Sequence, residues 1–128
     1  MNEEEKPSLI SMKSLNDYAA EVHEANSKWW VDINTGQPIK RNVGEMLMLV
    51  VSELAEAMEG HRKALMDDKL PHRTMFEVEL ADAVIRIFDI AAGLKIDLHG
   101  AYTEKMAYNA KRVDHSLEHR KSEHGKKY

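Results

Sequence analysis

The sequence contains no cysteine. Disulfides and thiolate metal sites are therefore excluded, and the absence fits a reducing compartment. Basic residues are outnumbered, 18 against 22 acidic, which leaves a net charge of -4. The electrostatic footprint of a duplex nucleic-acid binder is missing. No apolar run approaches the length of a membrane span. The opening residues, MNEEEKPS, lack the basic start and apolar core of a signal peptide. These absences lead to the expectation of a soluble, cytoplasmic protein with neither a nucleic-acid nor a membrane partner. No stretch alternates as a strand does, and no internal repeat or domain linker stands out.

What remains is helix after helix. The 128 residues, 43% apolar and 31% charged, suit one globular domain with a modest core. Flexible ends are expected at about 1–8 and 119–128, where charge dominates. A first helix is expected from Leu9 or Ser14 to Trp30. The turn-rich VDINTGQPIKRN follows it. A second helix is expected over Val43–Leu65, with Leu47, Val50, Val51, Leu54 and Met58 at helical spacing. Pro71 within MDDKLPHR is the expected stop. Thr74 and Glu77 form a capping box for a third helix ending near Gly93. Asp97 caps a fourth, with Tyr102, Met106, Ala110, Val113 and Leu117 as its apolar stripe. The fold class this predicts is all-α, a four-helix bundle.

Within the most apolar segment, FEVELADAVIRIFDIAAG, the stretch EVELAD carries carboxylates that a helix burying Val78, Leu80, Ala81, Val84, Ile85, Ile87 and Phe88 has little reason to hold. An ionised carboxylate buried alone costs several kcal/mol, so Glu79 and Asp82 call for a partner. They lie three residues apart, side by side on one helical face, with Arg86 a turn further on. The second helix carries a matching pair, Glu53 and Glu56, in SELAEAMEG. At roughly 100° per residue, Met46 and Leu49 share their sector, so that face begins apolar and turns acidic. Facing antiparallel helices would bring four carboxylates to one point. Such a cluster calls for a hard, oxygen-preferring cation such as Mg²⁺ or Mn²⁺. A solvated acidic face, with Asp82 and Arg86 as an i,i+4 ion pair, is the plainer reading of the same residues.

The order Glu53-x-x-Glu56, a gap of 22 residues, then Glu79-x-x-Asp82 resembles the signature of the all-α nucleoside triphosphate pyrophosphatases, in particular the MazG-like proteins. That motif reads Glu-Glu-x-x-Glu, a variable stretch, then Glu-x-x-Asp. Here Ser52 stands where the leading Glu is found. The resemblance covers about residues 15–113. It implies a four-helix MazG-like fold in which Glu53, Glu56, Glu79 and Asp82 bind Mg²⁺ and, through it, a nucleoside triphosphate. It also implies hydrolysis between the α and β phosphates to a monophosphate and pyrophosphate. A metal ion lowers the pKa of a bound water, and either Glu53 or Glu56 would orient or deprotonate it.

Two further groups fit phosphate and nucleoside binding. Lys105, Asn109 and Arg112 are spaced i, i+4 and i+7 on the expected fourth helix, and the family carries a similar phosphate-holding stripe. Lys supplies a point charge and Arg a fork. A solvated face is the ordinary alternative. His23, Asn26 and Trp30 fall on one face at the end of the first helix, where an aromatic ring would stack a base and Asn or His would read its edge. Trp29 is expected in the core. His115 and His119, although four apart, lack a third ligand.

Two other function classes compete. A di-iron carboxylate bundle needs Glu-x-x-His on two helices, and none of Glu53, Glu56 and Glu79 has a His three residues on. A non-catalytic helical interaction module would carry the same acidic residues as a solvated face. The second and third helices are apolar on more faces than one small bundle covers, so a homo-oligomer, dimer or tetramer, is expected.

Overall fold

A computed structural model describes residues 12–128. The expected frayed start, and a helix beginning at Leu9, lie outside these residues. All regular structure in the described residues is helical: α1 (Leu15–Ala25), α2 (Val43–Lys63), α3 (Met75–Gly93), α4 (Leu98–Ala110) and the short α5 (Leu117–Lys121), with 3-10 turns at Ser27–Trp30 and Val113–His115. The chain forms two compact units, one running to Ile96 and the other Asp97–Tyr128. The all-α expectation holds.

Each helix of the first unit starts where a side chain can take an orphan N–H. Ser14 accepts from Asp17 N while the Asp17 carboxylate accepts from Ser14 N, a capping box. Asn42 caps α2 by accepting from Glu45 N at 2.9 Å. Thr74 and Glu77 form the expected box on α3. The segment between α1 and α2 closes on Asp32, whose carboxylate accepts the N–H groups of Asn34 and Thr35, both at 2.8 Å. Gly36 takes the left-handed conformation, φ 71°, that this turn requires.

One helix end departs from expectation and one agrees with it to within two residues. α1 stops at Ala25, and Ser27–Trp30 continues as a tighter 3-10 turn. α2 ends at Lys63, two residues short of the expected Leu65, and is capped by Ala64, whose φ of 52° and ψ of 45° are left-handed. The N–H of Leu65 then reaches the Gly60 carbonyl at 3.0 Å. Met75 N donates to Leu65 O at 3.0 Å, and residues 66 and 74 bridge, so the chain turns back directly into α3.

α3 is the central helix of the unit and packs against both α1 and α2. Gly60 meets Met75, while Glu53 pairs with Arg86. Contacts that run in opposite sequence directions mark α2 and α3 as antiparallel. The buried apolar positions are small: Ala19, Ala57, Ala83 and Ala91, with Met46 the one larger side chain. Alanine at a crossing lets helix axes approach closely. Large side chains are left outside, among them Leu47, Val51, Leu54 and Met58 on α2 and Phe76, Leu80, Val84 and Ile87 on α3.

In the second unit Asp97 caps α4 as expected, accepting from Gly100 N at 2.9 Å. α4 ends at Ala110, so Val113 and Leu117 do not extend its stripe and lie in separate short helical turns. Residues 119–121 complete α5, and the Lys127 amine folds back onto the carbonyl oxygens of Arg120 and Ser122.

Ala64 yields the first prediction. A left-handed L-residue carries a steric cost that glycine escapes, and Ala64 is exposed, so its methyl has little packing to lose. Ala64→Gly should raise stability by about 1 kcal/mol, read as a shift of the urea midpoint. A lower midpoint would contradict the strain.

Candidate functional site

The antiparallel pairing of α2 and α3 places Glu53 against the EVELAD turn. One carboxylate oxygen from each of Glu53, Glu79 and Asp82 lies within 4.8 Å of the others, and all three residues are half-buried. Glu56, the fourth acid of the expected set, is exposed and falls outside this group. It still stands near enough for its charge to raise the pKa of Glu79.

The electrostatics are those of a crowded acidic pair with one cation at its edge. Glu79 is raised from 4.5 to about 7, chiefly by its hydrogen bond with Glu53, then by burial and by the charges of Glu53, Asp82 and Glu56. Burial pushes Glu53 upward too, but the hydrogen bond from Glu79 and the Arg86 guanidinium outweigh it and hold Glu53 low. Asp82 is raised, first by burial and then by Glu53, with Arg86 opposing. One proton is thus shared, residing on Glu79 (the ordinary outcome when carboxylates converge).

Arg86 does not pair with Asp82 as the spacing suggested. Its Nε donates to Glu53 Oε1 at 3.0 Å across the helix interface. Asp82, Arg86 and Asp89, at i, i+4 and i+7 on α3, line one cavity of about 510 Å³ together with Glu53 and Leu49 of α2, Arg41, and Asn26 and Trp29 from the end of α1. That volume falls in the range of small-molecule sites.

The far wall is organised by Asp89, buried although charged. It accepts from His23 Nδ1 at 2.8 Å and from Trp30 Nε1 at 3.1 Å to each oxygen. Trp30 lies edge-on to His23, with ring centroids 5.0 Å apart, and the Arg41 guanidinium sits 5.4 Å from the Trp30 ring centre. A Cβ on Gly93 would fall 2.3 Å from the Trp30 ring, so only glycine lets the indole seat there.

The two tryptophans thus exchange the places expected of them. Trp30 is turned inward on Asp89 and Gly93, whereas Trp29, expected in the core, is 61% exposed and lines the cavity. Asn26 lines it as expected; His23 stands behind Asp89. Arg41 and Asp89 carried no sequence signal of their own. Arg86 was visible one turn beyond Asp82, but its partner on another helix was not.

Lys105, Asn109 and Arg112 belong to the second unit. Lys105 and Asn109 lie on α4, but Arg112 follows its end, so the expected i, i+7 stripe is broken. Lys105 Nζ and the Arg112 guanidinium nevertheless gather on the Tyr108 ring, 4.9 and 5.7 Å from its centre. Arg112 also holds Asp114, Nε to Oδ1 at 2.9 Å. Asn109 Oδ1 is buried with no hydrogen-bond partner.

The donor set fits a hard divalent ion. All three donors are carboxylate oxygens, as Mg²⁺ and Mn²⁺ prefer. An octahedral ion with bonds of about 2.1 Å spaces its ligand oxygens by about 3 to 4 Å, within reach of a group already inside 4.8 Å. No histidine joins the group among the described residues, as a di-iron site would need.

The Glu79 proton generates a pH prediction. A group whose folded pKa lies above its unfolded value favours the folded state below the unfolded pKa, and that advantage is lost as pH rises through the folded one. In chelator, stability should therefore fall as pH climbs from about 4.5 to about 7, and Glu79→Gln should flatten that slope. Denaturant titrations across this window check it; an unchanged slope in the variant would contradict the shared proton.

No family model matches the chain, and no curated protein and no solved structure matches it either.

Proposed function

We propose that the protein is a Mg²⁺-dependent nucleoside triphosphate pyrophosphohydrolase of the MazG-like type. One observation carries the reading: Glu53 and Asp82, drawn together with Glu79, stand in the wall of a cavity of nucleotide-compatible size. Glu53, Glu79 and Asp82 would hold the ion; Mn²⁺ suits the same oxygens. When bound, it neutralises phosphate oxygens and makes a water acidic enough to attack at neutral pH. Glu56, exposed and outside the three, is the carboxylate left to orient that water and take its proton. Attack at the α-phosphorus breaks the bond to the α–β bridging oxygen, whose electrons leave with pyrophosphate, and the nucleoside monophosphate remains.

The cavity supplies the remaining needs of such a substrate. Trp29, exposed and with Lys28 Nζ 5.8 Å from its ring centre, would supply an aromatic ring for a base and Asn26 an amide for its edge, and the Asp89 pair with His23 and Trp30 keeps that wall rigid. Phosphate contacts by Lys105, Asn109 and Arg112 rest on the resemblance and on their cationic and amide chemistry. Lys105→Ala tests them through KM.

The purified protein with Mg²⁺ or Mn²⁺ should release pyrophosphate, not orthophosphate, from at least one member of an NTP and dNTP panel. Chelation should abolish turnover. Glu79→Gln and Asp82→Asn should each lower kcat by roughly a hundredfold or more, and both should lose the rise in melting temperature that the ion gives the parent. Were the chain instead a non-catalytic interaction module, neither ion nor substitution would change anything.

A homo-oligomer completes the proposal. Leu47, Val51, Leu54 and Met58 recur at i, i+4, i+7 and i+11, and Phe76, Leu80, Val84 and Ile87 at i, i+4, i+8 and i+11, all exposed. Continuous apolar stripes on two adjacent helices suit a second copy of the same stripes. Sedimentation at micromolar concentration should show a dimer or larger species, and Leu54→Glu should shift it toward monomer. A monomeric parent would refute this part alone.

A further inference from the structure

We propose that Arg86 is an exchangeable cation that holds Glu53 until a divalent ion takes that carboxylate, and then turns to the phosphates of the bound substrate. The inference rests on reading Glu53, Glu79 and Asp82 as a metal site, and adds a residue outside the ligand set.

Four observations carry it. First, Arg86 passes over Asp82, its i-4 neighbour on α3, and gives its Nε to Glu53 on α2. Among the described residues this is the one ion pair that joins these two helices. Second, the pair is unequal in burial: the Glu53 side chain is 15% exposed and that of Arg86 41%. The guanidinium therefore reaches the cluster from the solvent side, where ion pairs are weak and easily parted. Third, Glu53 belongs to the group whose oxygens converge, so a metal ion and Arg86 compete for one carboxylate. A dication drawn to that point also repels the guanidinium. Fourth, Arg86 lines the same cavity as Glu53 and Asp82, so its head needs only a rotamer change to meet an anion held there. A planar fork of donors matches phosphate oxygens in pairs. A static brace would be more deeply buried, and would leave the incoming triphosphate without a cation from α3.

Exchange and bracing make opposite predictions for metal binding in the absence of substrate. Calorimetric titration with Mn²⁺ alone should show Arg86→Gln binding at least about fivefold more tightly than the parent, because a competitor is gone. With saturating Mn²⁺, inorganic pyrophosphate should bind that variant about tenfold more weakly, because the fork is missing. Arg86→Lys, which keeps the charge without the fork, should lie between the two in both titrations. It also serves as the readable variant should circular dichroism show that Arg86→Gln loses helix. Equal or weaker Mn²⁺ binding on removal of the guanidinium would mean that Arg86 braces Glu53, and the exchange would be overturned while the metal site stood. A parent that binds no Mn²⁺ would remove the metal site and the exchange together.

Discussion

Carboxylates forced together repel, and the way α2 and α3 meet depends on how that repulsion is managed. Glu53 projects from one helix and Glu79 and Asp82 from the other, so the charges converge at the helix interface where apolar side chains would otherwise pack. Two compensations are visible. A proton stays on Glu79 at pH values where a glutamate is normally ionised, and the Arg86 guanidinium pairs with Glu53. Both are the kind of charge a divalent cation replaces. The cluster is costly in a fold that seeks only stability, and its three oxygens could hold an ion.

α3 carries most of this design. Its successive turns present Asp82, Arg86 and Asp89 to one cavity, and each has a different task. Asp82 joins the oxygen cluster. Arg86 pairs with Glu53 and lines the cavity beside it. Asp89 is spent on structure, for its oxygens are engaged by His23 and Trp30. That buried network ties α1 and its 3-10 turn to α3. It also decides which tryptophan faces the cavity, since Trp30 is anchored inward and Trp29, its neighbour in a tight turn, is left outside.

Local chemistry made much of this legible in the sequence. The Thr74–Glu77 box, the Asp97 cap and the acidic pairs could be read because each depends on residues three or four apart. What failed depended on other things. The roles of Trp29 and Trp30 were inverted because a continuous α-helix was assumed where the backbone tightens to a 3-10 turn. Arg112 was placed on α4, which ends two residues before it. The alternative pairing of Arg86 with Asp82 gives way to Glu53, because sequence spacing shows neighbours along a helix and is blind to a closer acid on the next one. Glu56 was grouped with Glu53 on the same logic, yet only Glu53 reaches the three-residue group.

The thin core and the acidic site have one physical origin. Alanine occupies buried positions 57 on α2 and 83 on α3, and small residues let helix axes approach closely enough for acidic side chains to meet across an interface. The same small residues leave little room for large ones inside. Leucine, valine, isoleucine and methionine are therefore displaced to the outer faces of both helices, where they form stripes rather than scattered positions. A helix pair built this way leaves apolar stripes exposed, which the proposed second copy would cover. The proposed assembly and the proposed metal site would then be linked. A charged substitution on an outer stripe, Leu54→Glu, should then weaken Mn²⁺ affinity in a calorimetric titration as well as association.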